Sequence, residues 1–176
     1  MLKVFSGING TDILTKNTQG YLIYEWSRAP NLESFSYKVI AKDIARGPAI
    51  SCSNGVINIY YANSNKEIKH VQINQQTPLE KIEKVLVKNV NGAINPQCVA
   101  YGNKVFVYYV DLDGKMKEVS HTIQGGKEMH ERFIDERKGE KTMLKTFKTE
   151  QDSFLFFKKI SSLYWISLKK DSQKVT

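Results

Sequence analysis

The chain has few of the residues that mark metal centres, disulfide scaffolds or membrane spans. Its 176 residues include two cysteines, three histidines and four prolines. Two cysteines fall short of a disulfide framework, and no run of about 18 apolar residues could span a membrane as a helix. The N-terminus lacks the apolar core of a signal peptide, so we expect cytoplasmic synthesis without a leader and, for a binding protein, delivery in a virion as one route out of the cell.

Arginine is also scarce, which bears on the choice of partner. Only four of the 26 basic residues are arginine, against 18 acidic residues and a net charge of +8. The charge is spread along the chain, without a block of five or more like charges. Because phosphate clamps and base-edge contacts favour arginine, this pattern favours a solvated lysine surface and argues against nucleic acid as the partner.

Motifs for a cofactor, a metal or a nucleophile are absent from the sequence. His70, His121 and His130 have no cysteine or acid at ligand spacing, which favours surface or strand-end positions for all three. The segment Asp111–Gly114 lacks the downstream glutamate of a calcium loop and is typical of a hairpin turn. We therefore expect no catalytic residue, no metal site and no cofactor.

What the chain does contain is a block of sequence that recurs after 48 residues. Residues 96–109 repeat the pattern of residues 48–61, and each block ends in hydrophobic-x-hydrophobic-Tyr-Tyr. Each block holds two apolar runs around a turn signal, such as Asn54-Gly55, which favours a two-residue hairpin. A fixed period of this length predicts a repeat built from one supersecondary unit.

Two residue types gain a predicted position from this repeat. The tyrosine pairs, Tyr60-Tyr61 and Tyr108-Tyr109, are expected to pack between neighbouring sheets, since side chains alternate along a strand. Cys52 and Cys98 lie on equivalent strands between apolar neighbours, which predicts small buried side chains and no bridge.

The repeat predicts one domain of four units. Their bounds are about 6–47, 48–95, 96–143 and 144–176, with residues 169–176 as a flexible tail. The first unit is compressed, because Tyr24 precedes Tyr60 by only 36 residues, and the last lacks an outer strand. We expect the unassigned strand at residues 2–5 to complete the last unit and close the ring. The alternative is an open arc that completes a ring with a second copy.

Units of this length, each a four-stranded antiparallel meander with the Tyr-Tyr strand second, resemble the blades of β-propellers, most closely those of the sialidase, glycosidase and lectin types. The resemblance implies an all-β, propeller-like fold of about four blades. The Gly-His and Trp-Asp marks of WD repeats are absent, as is the Ser-x-Asp-x-Gly-x-Thr-Trp box of sialidases. In the glycosidase type, the resemblance implies paired carboxylates on the innermost strands; here such a strand carries Asp12 alone.

The candidate ligand site is Glu25, Trp26 and Arg28, at a predicted strand end. An indole that stacks on a sugar ring, beside charged groups that bond hydroxyls, is the combination that sugar recognition needs. We expect a non-catalytic binding or assembly module that recognises a surface glycan or a protein partner, with a phage virion or a homo-oligomer as candidate settings. The alternative is a minimal glycoside hydrolase that uses Asp12 with a second carboxylate such as Asp152.

Overall fold

The chain forms antiparallel β-sheets along its length. A computed structural model describes residues 2–7, 10–28, 34–124, 130–135, 141–148, 153–159 and 162–167. These residues contain fifteen strands and no helix, and hence no helix that could cross a membrane. The prediction of an all-β fold is confirmed.

The strands form four meanders, in which neighbours in sequence are neighbours in space. The first sheet contains β1 (Leu2–Gly7), β2 (Gly10–Lys16), β3 (Leu22–Ser27) and β4 (Ser36–Ala41). The second contains β5 (Ala49–Ser53), β6 (Val56–Ala62), β7 (Glu67–Asn74) and β8 (Lys81–Lys88). The third contains β9 (Gln97–Tyr101), β10 (Lys104–Val110), β11 (Met116–Thr122) and β12 (His130–Asp135). The fourth contains β13 (Lys141–Lys148), β14 (Ser153–Lys159) and β15 (Ser162–Ser167).

The four sheets pack face to face in chain order. Three apolar cores hold successive sheets together, represented by Leu14 with Ile59, Ile68 with Val107, and Val110 with Leu155. Fully burying one such aliphatic side chain contributes about 1.5–3 kcal/mol. The stack therefore rests on side chains from both faces of each inner sheet.

The tyrosine pairs connect these cores. Tyr61 lies in the core between the first and second sheets, and Tyr60 lies in the next one. Tyr109 and Tyr108 repeat this division one sheet further along. All four are at most 3% exposed, so the predicted packing between sheets is confirmed.

The N-terminal strand belongs to the first sheet. Phe5 faces Asp12 across the β1–β2 ladder, just as Ser51 faces Asn58 in the second sheet, 46 residues later. The prediction that residues 2–5 complete the last unit is therefore wrong. The short connection from Gly7 to Gly10 lets β1 pair with its neighbour at a small loop-closure cost, whereas pairing with the last sheet would enclose most of the chain.

The close approach of β2 to β3 depends on a glycine. A Cβ atom at Gly10 would lie 2.0 Å from the carbonyl oxygen of Ser27, on the neighbouring strand β3. Real side chains never approach a backbone atom so closely, so glycine alone fits where β2 begins.

The first sheet is a complete four-stranded unit, and the expected compression is wrong. Tyr24 lies on the third strand and faces Lys38, as His70 faces Lys84 in the second sheet. The position equivalent to Tyr60 is occupied by Leu14, on β2. Matching one tyrosine to another displaces the alignment by one strand, because it leaves β1 out of the first unit.

The same ladder irregularity occurs in three sheets. The register between the third and fourth strands shifts after Leu22, after Ile68 and after Met116. Each of these residues is at most 1% exposed. The three four-stranded sheets thus share one backbone plan, including its bulge.

The fourth sheet contains three strands among the described residues. Its first hairpin keeps the 48-residue spacing, since Phe147 faces Phe154 as Val99 faces Phe106. No described strand of this sheet pairs with a strand of the first sheet, so a closed ring within one chain stays a prediction. The expected tail at residues 169–176 lies outside the described residues.

Two predicted hairpin turns are present. Asn54 and Gly55 have φ values of 52° and 72°, the left-handed conformations that a two-residue type I′ turn requires. At the other turn Gly114 has a φ of 77°, and the carboxylate of Asp111 accepts a hydrogen bond from the backbone N–H of Lys115 at 2.9 Å. The interpretation of residues 111–114 as a turn is confirmed.

Candidate functional site

The three predicted ligand residues lie together at the end of β3 but face different surroundings. Trp26 is 8% exposed and stacks on Tyr24, with ring centroids 5.2 Å apart. Glu25 points to the opposite face of the sheet, where it accepts a hydrogen bond from Thr15 Oγ1 at 3.1 Å. Arg28 reaches towards the second sheet. Packing against Tyr24 buries the indole, which leaves little of its surface for a ligand. Ligand binding by this group stays a prediction.

Arg28 is part of a polar cluster centred on Asp12. Asp12 is fully buried and accepts hydrogen bonds from Arg28 Nη2 at 3.0 Å, from Gln75 Nε2 at 2.5 Å and from the hydroxyl of Tyr24. Arg28 also donates to the carbonyl oxygen of Gln75 at 2.8 Å. Burial, and then the nearby carboxylate, raises the pKa of Tyr24, which keeps its hydroxyl a donor.

This cluster ties the first sheet to the second and leaves Asp12 no access to a substrate. Its carboxylate is 0% exposed and is satisfied by three side chains of the chain itself. A catalytic carboxylate must contact the bond it cleaves. Asp152, the suggested partner in a hydrolase, lies outside the described residues.

Two histidines are buried between the second and third sheets, which corrects their predicted positions. His70 and His121 are 2% and 1% exposed, whereas His130 is exposed as predicted. His70 stacks on Tyr60 at 4.8 Å, and its ring centroid lies 4.7 Å from that of His121. Burial is tolerated because each imidazole finds a hydrogen-bond partner inside the interface.

The hydrogen bonds assign a tautomer to each buried histidine. His121 Nδ1–H donates to the carbonyl oxygen of Thr122 at 2.6 Å, so its Nε2 accepts from the Tyr60 hydroxyl at 2.7 Å. His70 Nε2–H donates to Asn58 Oδ1 at 2.7 Å, and within the described residues its Nδ1 has no partner. Burial, then the charges of His121 and Lys84, lowers the pKa of His70 to about 3. Burial likewise lowers the pKa of His121.

A cleft of about 660 Å³ opens between the second and third sheets, towards their outer strands. Leu86, Val87 and Val119 form its aliphatic floor. Its polar lining consists of Lys88, Asn89, Asp111, Asp113, Lys117 and Glu131. Leu112 lies at the rim and is 52% exposed. Polar and charged residues thus make up most of the lining, so the cleft suits a polar ligand better than an apolar one.

Charged side chains converge at one end of this cleft. Lys117 Nζ lies 3.5 Å from an oxygen of Asp111 and 3.2 Å from an oxygen of Glu131. The hydroxyl of Tyr109 donates to Glu131 at 2.5 Å. This hydrogen bond and the Lys117 charge lower the pKa of Glu131, so its carboxylate is ionised at neutral pH. Phe133, whose ring centroid lies 4.9 Å from Lys117 Nζ, exposes 47% of its surface beside the cleft.

The same group of Tyr, Lys and Glu occurs 48 residues earlier, between the first and second sheets. There Tyr61 is buried, and Lys69 Nζ lies 3.9 Å from an oxygen of Glu83. At this interface Lys81 reaches across, donating to the carbonyl oxygen of Ile40 at 2.9 Å and to Glu83 at 3.0 Å. The residue 48 positions after Lys81 is uncharged Met129, which lies outside the described residues.

The cysteines show no sign of a bridge or a metal centre. Both are free; Cys52 is exposed, which corrects its predicted burial, and Cys98 is partly buried. Cys52 lies two residues before the Asn54 turn, where the strand has left the core. Burial raises the pKa of Cys98 to about 12. Within the described ranges, no three Cys, His, Asp or Glu side chains gather in a group that could hold a metal ion.

The stacked sheets are similar to parts of known propeller-like proteins. Over 97% of its length the chain matches 53% of a triple arginine-to-alanine mutant of AofleA from Arthrobotrys oligospora, with a TM-score of 0.65 and 10% identity. It matches 38% of GH43B of the Bacteroides ovatus xyloglucan PUL, also over 97% of its own length, with a TM-score of 0.55 and 11% identity. Over 95% of its length it matches 24% of a chain from a study of two prolyl endopeptidases, with a TM-score of 0.57 and 12% identity.

These likenesses show the fold alone. The chain spans about half or less of each of these three structures. No protein-family model matches the sequence, and no curated protein matches it either. The function must therefore be argued from the residues of this chain.

Sequence reasoning missed the cleft because its residues come from separate strands and loops. The sequence places Asp111 in a turn, which is correct locally, but the pattern of one strand does not connect this turn with Glu131 on β12. A signal was nevertheless present: the spacing of Tyr61, Lys69 and Glu83 is repeated by Tyr109, Lys117 and Glu131. A polar group that recurs with the repeat period predicts a shared position in the fold.

Proposed function

We propose that the protein is a glycan-binding module and that the cleft between its second and third sheets is the binding site. The observation that carries this proposal is the convergence of Asp111, Lys117 and Glu131 above an aliphatic floor, in a cleft of about 660 Å³. The cleft has the size range of small-ligand sites.

The chemistry of the lining suits a ligand rich in hydroxyl groups. The carboxylate oxygens of Asp111 and Glu131 can accept hydrogen bonds from hydroxyls, and the ammonium of Lys117 can donate them. Apolar surface for the C–H face of a sugar ring is offered by exposed Leu112 at the rim and by the exposed ring of Phe133 beside the opening. The ammonium of Lys117 lies near both carboxylates, and a neutral polar ligand can bond these groups without bringing a further charge into the cleft.

The fold supports this proposal without deciding it. One similar structure bears a name that refers to xyloglucan, and another comes from a study of prolyl endopeptidases. Propeller-like folds host many activities, so the residues of the cleft carry the argument.

The test is binding to a printed array of plant, fungal and bacterial glycans that includes xyloglucan oligosaccharides. We expect the wild-type chain to bind at least one glycan class, and Glu131→Gln to weaken that binding at least tenfold. The matched control is Glu83→Gln, which removes the equivalent carboxylate at the interface spanned by Lys81 and should leave binding unchanged. Circular dichroism verifies that both variants are folded.

Two outcomes would overturn the proposal. The wild-type chain is also applied to the array at a high protein concentration, on the order of 0.1 mM, about 100-fold above the usual one. If it binds no glycan there, the ligand class is wrong. If Glu83→Gln weakens binding as much as Glu131→Gln does, the site does not lie in this cleft.

Glycoside hydrolysis remains the alternative function, and the cleft geometry disfavours it. A glycosidase needs one carboxyl group that is protonated when the substrate is bound. Glu131 is held ionised by Tyr109 and Lys117, and Asp12 is buried in its own cluster. Incubating the bound glycans with the protein and analysing the products by mass spectrometry tests this alternative; turnover that Glu131→Gln abolishes would establish it.

A further inference from the structure

The stacking of the sheets follows one rule at every interface. In each of the two inner sheets, one face packs on the preceding sheet and the other on the following sheet. Val107 and Val119 of the third sheet face the second sheet, whereas Val99 and Phe106 face the fourth. Because the ladders share one register, the equivalent faces of the first and fourth sheets can be identified residue by residue.

The fourth sheet presents an aromatic face on the side where a following sheet would pack. Phe147 and Phe154 occupy the positions of Val99 and Phe106. Val99 and Phe106 are 7% and 6% exposed, but Phe147 is 59% exposed. None of the three cores places a described residue of the first sheet against this face. An exposed aromatic surface of this kind marks an interaction site.

The first sheet presents the complementary type of face. Val4, Ile13, Glu25 and Tyr37 lie side by side across its four strands, at the positions that in the third sheet pack on the second. Val4 and Tyr37 are 59% and 72% exposed. The row is apolar at Val4 and Ile13 and acidic at Glu25, whereas the face of the fourth sheet carries the exposed base Lys145.

We propose that two copies of this chain associate head to tail, with the fourth sheet of one copy packed on the first sheet of the other. Each contact would continue the stacking already seen three times within the chain. Two such contacts, related by a two-fold axis, would cover both open faces of both copies. The length of one similar structure agrees with this arrangement. The chain matches 53% of that structure, and the rest of it is about as long as a second copy of this chain.

Mass measurement by light scattering after size exclusion is the first test. We expect a species close to twice the chain mass of 20.1 kDa at micromolar concentration. Phe147→Ser and Val4→Lys, on opposite faces, should each shift the protein to monomer while retaining its circular dichroism spectrum. Ile82→Ser, at an outer-strand residue that is 64% exposed, is the control and should remain a dimer. A wild-type chain that stays monomeric at about 100 µM, where an interface of even modest affinity is occupied, overturns the proposal.

Cysteine cross-linking distinguishes two copies from a ring closed within one chain. Thr146 in the fourth sheet is the equivalent of Val4 in the first. The hydroxyl of Thr146 donates a hydrogen bond of 3.2 Å to the carbonyl oxygen of Cys98 in the third sheet. Cys98 adjoins Val99, and Val99 is the equivalent of Phe147. Val4→Cys and Phe147→Cys should therefore meet across the proposed contact, in a background of Cys52→Ser and Cys98→Ser. Mixing the two single variants should give a disulfide-linked dimer on a non-reducing gel. If the chain carrying both substitutions forms only an internal disulfide, the ring closes within one chain and the proposal fails.

Discussion

The interface between the first and second sheets and the interface between the second and third share one backbone plan but use different polar chemistry. The former is closed by ions: Arg28 pairs with buried Asp12, and Lys81 bridges Glu83 and Ile40. The latter buries neutral rings, His70 and His121 with Tyr60, and leaves a cleft open.

This difference shows which properties the repeat conserves within the chain. The central position that faces the preceding sheet stays apolar, as Ile59 and Val107 show. Positions on the polar side vary freely, so that Asp12 and Asn58, or Tyr24 and His70, occupy the same place in the ladder. The buried polar contacts therefore differ from one interface to the next, while the apolar packing is kept.

The largest effect should come from removing the cation of the first interface. Arg28→Met leaves the Asp12 carboxylate buried without its countercharge, and we expect the free energy of unfolding to fall by about 3 kcal/mol. Urea unfolding at pH 7 measures it, with exposed Arg46→Met as the control. Adding Asp12→Asn to Arg28→Met should recover part of the loss. If the double variant is no more stable than the single one, the buried charge is not the cause.

The neutral cluster of the second interface should respond to acid. Because the pKa of His70 falls from 6.5 to about 3 on folding, the unfolded chain binds more protons below pH 6.5. Stability is therefore complete above about pH 6.5 and declines as the pH falls towards 3. Between pH 7 and pH 5 this histidine alone should lower the free energy of unfolding by about 2 kcal/mol.

Two histidine variants separate the contribution of His70 to the pH dependence of stability from that of the carboxylates. His70→Gln, which can still donate to Asn58, should lose about 2 kcal/mol less than the wild type over the same pH interval. His130→Gln, which replaces an exposed histidine by the same residue type, is the matched control. Equal pH dependence in all three proteins would mean that His70 is not buried in the neutral form.

The smallest effect should come from the lysine that spans the first interface. Lys81→Met removes a hydrogen bond to Ile40 and an ion pair with Glu83, both partly exposed, and should cost about 0.5–1 kcal/mol. Lys66→Met, in the exposed turn before β7, is the control for urea unfolding. If the free energy of unfolding falls by more than about 2 kcal/mol, Lys81 makes one of the main contacts between the two sheets and not a minor contact at their edge.

The sequence predicted the parts of the fold that depend on local pattern. The turn at Asn54-Gly55 and the burial of Tyr60 and Tyr108 follow from turn chemistry and from strand alternation. The first unit is misaligned by the same pattern, because Tyr24 looks equivalent to Tyr60 while the true equivalent, Leu14, carries no aromatic ring.

The candidate site was less predictable for a physical reason. Burial of His70 and His121 depends on partners from other strands and from a neighbouring sheet, and a single strand holds no information about them. The same holds for Glu131, which owes its role to Tyr109 and Lys117 on neighbouring strands. By contrast, Trp26 and Arg28 lie at one strand end, and packing and ion pairing account for the contacts they make.

The bulge that follows Leu22, Ile68 and Met116 has a consequence for experiment. The residues just beyond it, Ile23, Lys69 and Lys117, occupy one backbone environment three times over in a single molecule. An identical substitution at each of the three sites would hold local conformation constant while the surroundings change. The three sites thus serve as replicates within one chain. Differences among the three substituted proteins would report the influence of the neighbouring sheets, separately from that of the backbone site itself.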